Sequence, residues 1–326
     1  MKLDIAQSVV ANTVITAEFS IPGMFNPSTF PNVGRLMFQR EGQPCLVLDS
    51  FASVTNMLEG TVQLPGTEAP IFADLPHIRM VDQHGVYQAT SITLPHRLAS
   101  GYLLKNSSAM LGTERFDKTI KTEIEKNGLH ATVLKYCPMS LLHGVWFSQL
   151  EGGNHKIAKA VSGSLIAINV QTAMAGGVSM DTVWKSAESL DLSAFEGAKK
   201  ASEVGVGMIP HSTMRYVCDR VMGDFQIGGQ QIDSYKIHES GKVLLKALAL
   251  YEVLTFLETV PMHRSDCNMV VKSVDVNQDL VAKTAKDAAE QVQSAIVEAV
   301  KAGVLGTTQT VTVKLQEKKP EKKAKS

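Results

Sequence analysis

The sequence has little cysteine, and what it has is dispersed. Cys45, Cys137, Cys218 and Cys267 are spread over 326 residues, with no C-x-x-C pair and no Cys/His cluster. Structural zinc needs several soft ligands converging at short spacings, so no metal site is expected, and the cysteines read as reduced and mostly buried thiols. No apolar run is long enough to cross a bilayer, and Met1-Lys2-Leu3-Asp4 lacks the basic-then-apolar order of a signal peptide. The expected location is the cytoplasm, without a membrane partner. The phosphate-binding glycine loops G-x-x-x-x-G-K-[ST] and G-x-G-x-x-G are absent, as are the G-x-S-x-G elbow and the H-E-x-x-H helix. These absences disfavour a nucleotide-fuelled enzyme, a serine hydrolase and a zinc protease, and imply no cofactor.

A basic excess is lacking too. Lysine plus arginine number 32, as do aspartate plus glutamate. The tail from Lys314 to Ser326 holds six lysines against two glutamates, so the remainder is slightly acidic. Polyanion binding usually shows in bulk charge. Any groove for nucleic acid must therefore come from a few cations brought together, expected on one face of a sheet. The tail reads as a solvated, disordered end.

What is present is an ordinary globular composition, 44% hydrophobic and 20% charged. Asn12 to Ile21 alternates apolar and polar residues and predicts a half-buried strand. Cys45 to Leu48 predicts a short buried strand, followed by a helix over about Ser50 to Leu58 with Asp49 or Ser50 as N-cap. Gly60 to Thr90 reads as an excursion such as a β-hairpin, outside the core. A helix is expected from Pro95 to Lys105, strand-like pieces at both ends of Ala131 to Val145, and a buried strand over Val161 to Thr172. Gly176 to Gly229, rich in glycine, reads as an insertion of mixed structure. Long apolar stripes predict helices over about Ser240 to Glu258 and Gln278 to Ala302, the latter capped by Asn277 and Gly303. Strands at Cys267–Val276 and Thr308–Leu315 bracket the last helix. The order suggests one α+β domain over residues 1–313, a sheet with helices on one face and insertions near 60–90 and 176–229.

Several polar groups adjoin these segments. Arg97 and Ser100 fall in the first turns of the Pro95 helix, where unpaired N–H groups suit a phosphate, and Lys105 lies at its end. From the residues alone Arg97 reads more readily as an exposed helix residue or the partner of a nearby carboxylate, since charged side chains are mostly exposed in any case. Arg264, Ser265 and Asn268 lie between a helix and a strand, either facing a ligand or closing a capped turn. Ser50 and Asn56 flank the first helix and read as ligand contacts or as cap and solvated side chain. Lys156 and Lys159 line either a groove or a solvated edge. Trp146 and Phe147 invite base stacking, although the apolar run before them favours core packing for Trp146. His96 and His143 read as structural histidines.

Five segments, in order, carry a resemblance. They are Phe30-Pro31-Asn32-Val33-Gly34, the run from Leu48-Asp49-Ser50 through Asn56-Met57-Leu58-Glu59, Pro95-His96-Arg97-Leu98-Ala99-Ser100, Leu142-His143-Gly144-Val145-Trp146-Phe147-Ser148, and Arg264-Ser265-Asp266-Cys267. Together they resemble the backbone subunit of the I-G (formerly I-U) subtype of type I CRISPR effectors, in the RAMP superfamily. Where that family has an arginine after the asparagine this chain has Met57, and His155-Lys156-Ile157-Ala158-Lys159 replaces its arginine-rich strand.

The resemblance implies an RRM-like (ferredoxin-like) palm with inserted finger and thumb elements. Copies of the chain would stack head to tail along a guide RNA, held through phosphate and sugar contacts. Target DNA would be read by way of the guide, and other CRISPR effector subunits would complete the particle. Many copies on one RNA make modest affinity per copy sufficient. The backbone subunit would bind without cutting, so no active site is expected. Two rival readings are a histidine-dependent RNA-processing endonuclease using His96 or His263, and an unrelated α+β enzyme.

Overall fold

A computed structural model of the chain describes residues 12–63, 67–148, 150, 155–180, 191–204, 208–259, 266–280 and 282–315. Strand β1, Asn12–Ser20, alternates as expected, with Thr13, Ile15, Ala17 and Phe19 buried. Its outward residues include Val14, Thr16 and Glu18. A hairpin of β2 (Met37–Arg40) and β3 (Gln43–Asp49) leads into helix α1, Phe51–Gly60. Ser50 caps that helix, its hydroxyl accepting from the Ser53 amide.

Strands β4 (Ile78–Val81) and β5 (Tyr87–Thr90) form the hairpin expected between residues 60 and 90. This segment nevertheless belongs to the core, because Phe72, Leu75, Ile78 and Met80 are buried with it. The expected Pro95–Lys105 helix is reduced to a 3-10 turn, Arg97–Ala99, and a single turn, α2 (Gly101–Leu104). Short strands β6 (Met110–Leu111) and β7 (Glu114–Arg115) precede α3 (Phe116–Asn127), α4 (Leu129–Tyr136) and α5 (Met139–Leu142). The strand expected at the start of the Ala131–Val145 stretch is thus helix, and only β8 (Val145–Phe147) follows it, paired with β9 (His155–Ile157).

Strand β10 covers Val161–Ile168, and β11 (Gln171–Met180) pairs along its whole length with β12 (Met208–Val217) as a two-stranded ribbon. The glycine-rich stretch read as an insertion ends in β13, Arg220–Gly228, which lies between β1 and β10 in the main sheet. A glycine within β13 and another in the neighbouring β10 sit where a side chain would clash. A Cβ at Gly223 would lie 2.8 Å from the Phe19 ring, and one at Gly163 of β10 would lie 2.8 Å from both Phe225 and Val54. These glycines leave room for the rings, and Phe225 lies 5.2 Å from Phe256 in a tilted pair.

A short α6 (Gly229–Ser234) precedes α7, Glu239–Thr259, which is buried on nearly every side, as a helix apolar all round must be. Strand β14 (Val270–Val276) returns to the sheet, and α8 (Ala285–Lys301) packs on α7 through Ala288, Val292, Ala295, Ile296 and Ala299. The α8 cap is Thr284, in a reciprocal capping box with Asp287, and not Asn277. Asn277 instead joins β14 to β1, accepting from the Val14 amide and donating to the Asn12 carbonyl. Gly303, at φ +69°, closes the helix end as expected.

The six-stranded sheet has the order β14-β1-β13-β10-β3-β2, antiparallel throughout. Along the chain its inner part runs β1, α1, β10, β13, α7, β14. Helices α1 and α7 pack on one side of the sheet, leaving the outward residues of β1, β10 and β13 on the other. The last strand, β15 (Gln309–Thr312), pairs in parallel with β4 inside a second, five-stranded sheet, β5-β4-β15-β6-β7. The fold is α+β. Among the described residues no helix is long and apolar enough to cross a membrane.

Candidate nucleic-acid interface

Helix α1 places Ala52, Asn56 and Glu59 on one stripe, and that stripe forms a wall of a groove of about 520 Å³. The other walls are Ile92 to Arg97 and Lys159. Glu59, buried, receives a bidentate pair from Arg97: Nε to Oε1, and Nη2 to Oε2 at 2.8 Å. Arg97 Nη1 also donates to the Gly144 carbonyl at 3.2 Å. The arginine side chain is 13% exposed and the glutamate 8%, so this guanidinium is committed within the fold. The reading of Arg97 as partner of a carboxylate is the one realised. A helix beginning at Arg97 and giving a phosphate its amides is not, because the segment is a 3-10 turn followed by the single turn of α2. Both His96 (φ +64°) and Arg97 (φ +54°) adopt left-handed backbone, which costs on the order of 1 kcal/mol each. The ion pair and buried Leu98 hold that turn, leaving Pro95 and His96 exposed on the rim.

Lys159 is exposed, with its ammonium donating to Thr55 Oγ1 at 3.2 Å. Partial burial, and secondarily the charge of Arg97, hold its pKa below the ordinary lysine value. A second depression of about 390 Å³ adjoins the first through Pro95 and His96 and is lined by Ser100, Tyr102, Lys105 and Asn106. Ser100 itself is buried, its carbonyl accepting from Leu103 and Leu104, whereas Lys105 is exposed.

The β8–β9 pair flanks this region. Gly144, at φ +81°, lies so close to the 157–159 backbone that a Cβ would approach the Ile157 carbonyl oxygen at 3.0 Å. Trp146, expected in the core, is 53% exposed, while its neighbours Val145 and Phe147 are buried. Plain strand alternation in V-W-F was the available signal. Lys156 lies directly across the strand pair, its ammonium 5.9 Å from the indole centroid.

The structure therefore brings Asn56, Arg97, Ser100, Lys105 and Lys159 to two adjoining depressions beside α1, with Lys156 on the flanking β8–β9 pair. Ser50 is occupied as the cap of that helix. Asn268 is exposed just before β14, at the edge of the sheet opposite β2. Arg264 and Ser265, like His263, lie outside the described residues. The expectation that these cations share one face of the sheet is not met. The open face of the sheet carries a depression of about 580 Å³ whose lining residues mix Arg40 and Arg220 with Glu18, Glu41 and Asp224 and include no aromatic. Arg220 there faces Glu18 at 3.8 Å.

Beneath the site, His143 Nε2 and Glu252 Oε1 are 3.0 Å apart with both side chains fully buried. Burial raises the Glu252 pKa, with His143 opposing the rise. His143 is structural, as expected, whereas His96 is exposed on the groove. Among the described residues no group of three or more His, Cys, Asp or Glu side chains is placed to hold a metal ion.

Residues 21–172, just under half of the chain, match the family model described as CRISPR-associated protein GSU0053. The matched span holds α1, the Pro95–Ser100 turn and the β8–β9 pair, and so the whole of the region described. The resemblance drawn from the ordered motifs is borne out over it. Two solved structures are similar at 10% identity. A chain of a "CRISPR RNA-guided surveillance complex, pre-nicking" has a TM-score of 0.44, covering 90% of this chain and 89% of that one. The crystal structure of Thermofilum pendens Csc2 has a TM-score of 0.30, covering 92% and 78%. No curated protein matches.

Proposed function

We propose that the chain is an RNA-binding backbone subunit of a CRISPR effector complex, working in the cytoplasm. On this reading several copies line one guide RNA, and the guide reads target DNA by base pairing. The elements β1-α1-β10-β13-α7-β14, with spatial order β14-β1-β13-β10, are the RRM-like (ferredoxin-like) palm that the family resemblance implies. The β11–β12 ribbon, carrying exposed Met174 and Met214 opposite each other, is one of the inserted elements. Strand β2 is exposed throughout and β14 nearly so, which supports contact between unlike edges of successive copies. The subunit binds and does not cut.

The observation that carries this proposal is the pair of adjoining depressions, with Asn56, Lys159, Lys105 and Tyr102 along them, inside the segment that matches a CRISPR-associated family. A near-neutral chain has collected solvent-facing cations beside a rigid helix. Lys105→Ala and Lys159→Ala are each expected to weaken guide-RNA binding about equally for all sequences and to lower the salt dependence by roughly one counterion. Unaltered protein should co-purify with nucleic acid in large assemblies. A clean monomer indifferent to RNA would overturn the proposal.

Exposed His96 beside Lys159 keeps one rival alive, the histidine-dependent endonuclease. Repeat RNA cleaved by the unaltered protein and spared by His96→Ala would decide for it.

A further inference from the structure

From the β8–β9 pair we infer a base-stacking position: the exposed face of Trp146 receives one unpaired base of a single-stranded RNA, while Lys156 holds the adjoining phosphate. This rests on the RNA-binding reading above and assigns a specific contact within it. Trp146 sits in the middle of a three-residue strand whose flanking side chains, Val145 and Phe147, are 4% and 0% exposed, yet is itself 53% exposed. The alternation directs the indole outward, and burial of its two neighbours fixes that direction.

The platform is anchored to the rest of the fold. Gly144 is wedged against the 157–159 backbone, and its carbonyl is anchored by Arg97, which is locked in turn to Glu59 of α1. A stacking ring needs such a frame, since a ring free to rotate would lose in ordering what it gained in contact. Directly across the strand pair Lys156 presents a cation on the same outer face. A π-face with a cation beside it fits a nucleotide, whose flat base and phosphate lie a few ångströms apart. The depression on the open sheet face offers no comparable site, because its lining residues include no aromatic. Stacking is tolerant of base identity, which suits a subunit that must hold any guide sequence, and it requires a base not already stacked in a duplex.

The chain has two tryptophans, Trp146 and Trp184, so Trp184→Phe leaves one indole reporter. This variant is titrated with a single-stranded oligouridylate, with guide RNA and with duplex RNA, while binding is measured separately by anisotropy of the labelled RNA. Both single strands should quench the Trp146 fluorescence along the binding curve, and the duplex should not. Trp146→Ala should weaken single-strand binding roughly tenfold or more, and Trp146→Phe should retain most of it. The melting temperatures of both variants should match that of unaltered protein. Full binding by Trp146→Ala together with an unquenched indole would overturn the stacking position and leave the RNA-binding reading standing. Absence of RNA binding in every form, unaltered protein included, would remove both. Loss of self-association in Trp146→Ala without RNA would assign the surface to a second copy of the chain and overturn the inference.

Discussion

Replacing Arg97 by alanine separates a structural from a ligand-binding arginine. In the fold this guanidinium makes two bonds to Glu59 and one to the Gly144 carbonyl, with the two side chains 13% and 8% exposed. Arg97→Ala strands the Glu59 carboxylate at a mostly dry position, near the second buried acid Glu252. Removing one partner of a buried pair costs about 3–5 kcal/mol. Solvent reaches this pair along one groove wall, so the lower end, about 3 kcal/mol, is expected. Urea unfolding followed by circular dichroism and by tryptophan fluorescence, with coincident transitions, reads this directly. With a slope of about 3 kcal/mol/M the midpoint should fall by about 1 M. The apolar double variant Arg97→Met/Glu59→Leu should regain most of the loss, because it leaves no unpaired charge. The sequence alone left a phosphate contact and a carboxylate pairing both open for this arginine. A midpoint for Arg97→Ala within about 0.2 M of unaltered protein, combined with lost RNA binding, would refute the structural role.

Gly163→Ala places a methyl group 2.8 Å from Phe225 and Val54 and should destabilise by about 1–3 kcal/mol, measured by the same urea titration. Thr284→Ala removes half of the α8 capping box and should cost about 1 kcal/mol, visible as a lower melting temperature. Burial, helped by Asp219, pushes the Cys218 thiol up to about 11, and Cys45, Cys137 and Cys267 are buried. At pH 7.5 the Cys218 thiolate is therefore about a hundredfold scarcer than for an ordinary protein thiol. Ellman's reagent should label native protein far more slowly than protein in urea. Fast labelling of one thiol at neutral pH would contradict this, and raising the pH toward 11 should accelerate the native reaction.

Much of the fold was legible. The alternation in Asn12–Ser20, the serine before Phe51 and the apolar stripes of α7 and α8 are local signals that burial later reinforced. Strand β13 was missed because Gly223, needed to admit the Phe19 ring, interrupts its pattern. Helices α4 and α5 were obscured because Thr132, Val133, Leu134 and the Met139–Leu142 run are buried together, erasing any amphipathic period. Trp146 was assigned to the core from the apolar residues before it, when its own place in V-W-F pointed outward.

By itself the sequence determined which short segments bury a face, where helices begin, and that no bulk charge would gather a polyanion. Only tertiary structure decided which cations face solvent. Arg97 and Glu59 are separated by 38 positions, and nothing local to either tells the arginine that it will be neutralised. Lys105, Lys156 and Lys159 look no different in the sequence from any solvated lysine. Lys105 and Lys159 come to line adjoining depressions, with Lys156 on the flanking β9, because α1, the Pro95–Ser100 turn and the β8–β9 pair are packed together, and burial free energy, not the lysines' own chemistry, sets that packing.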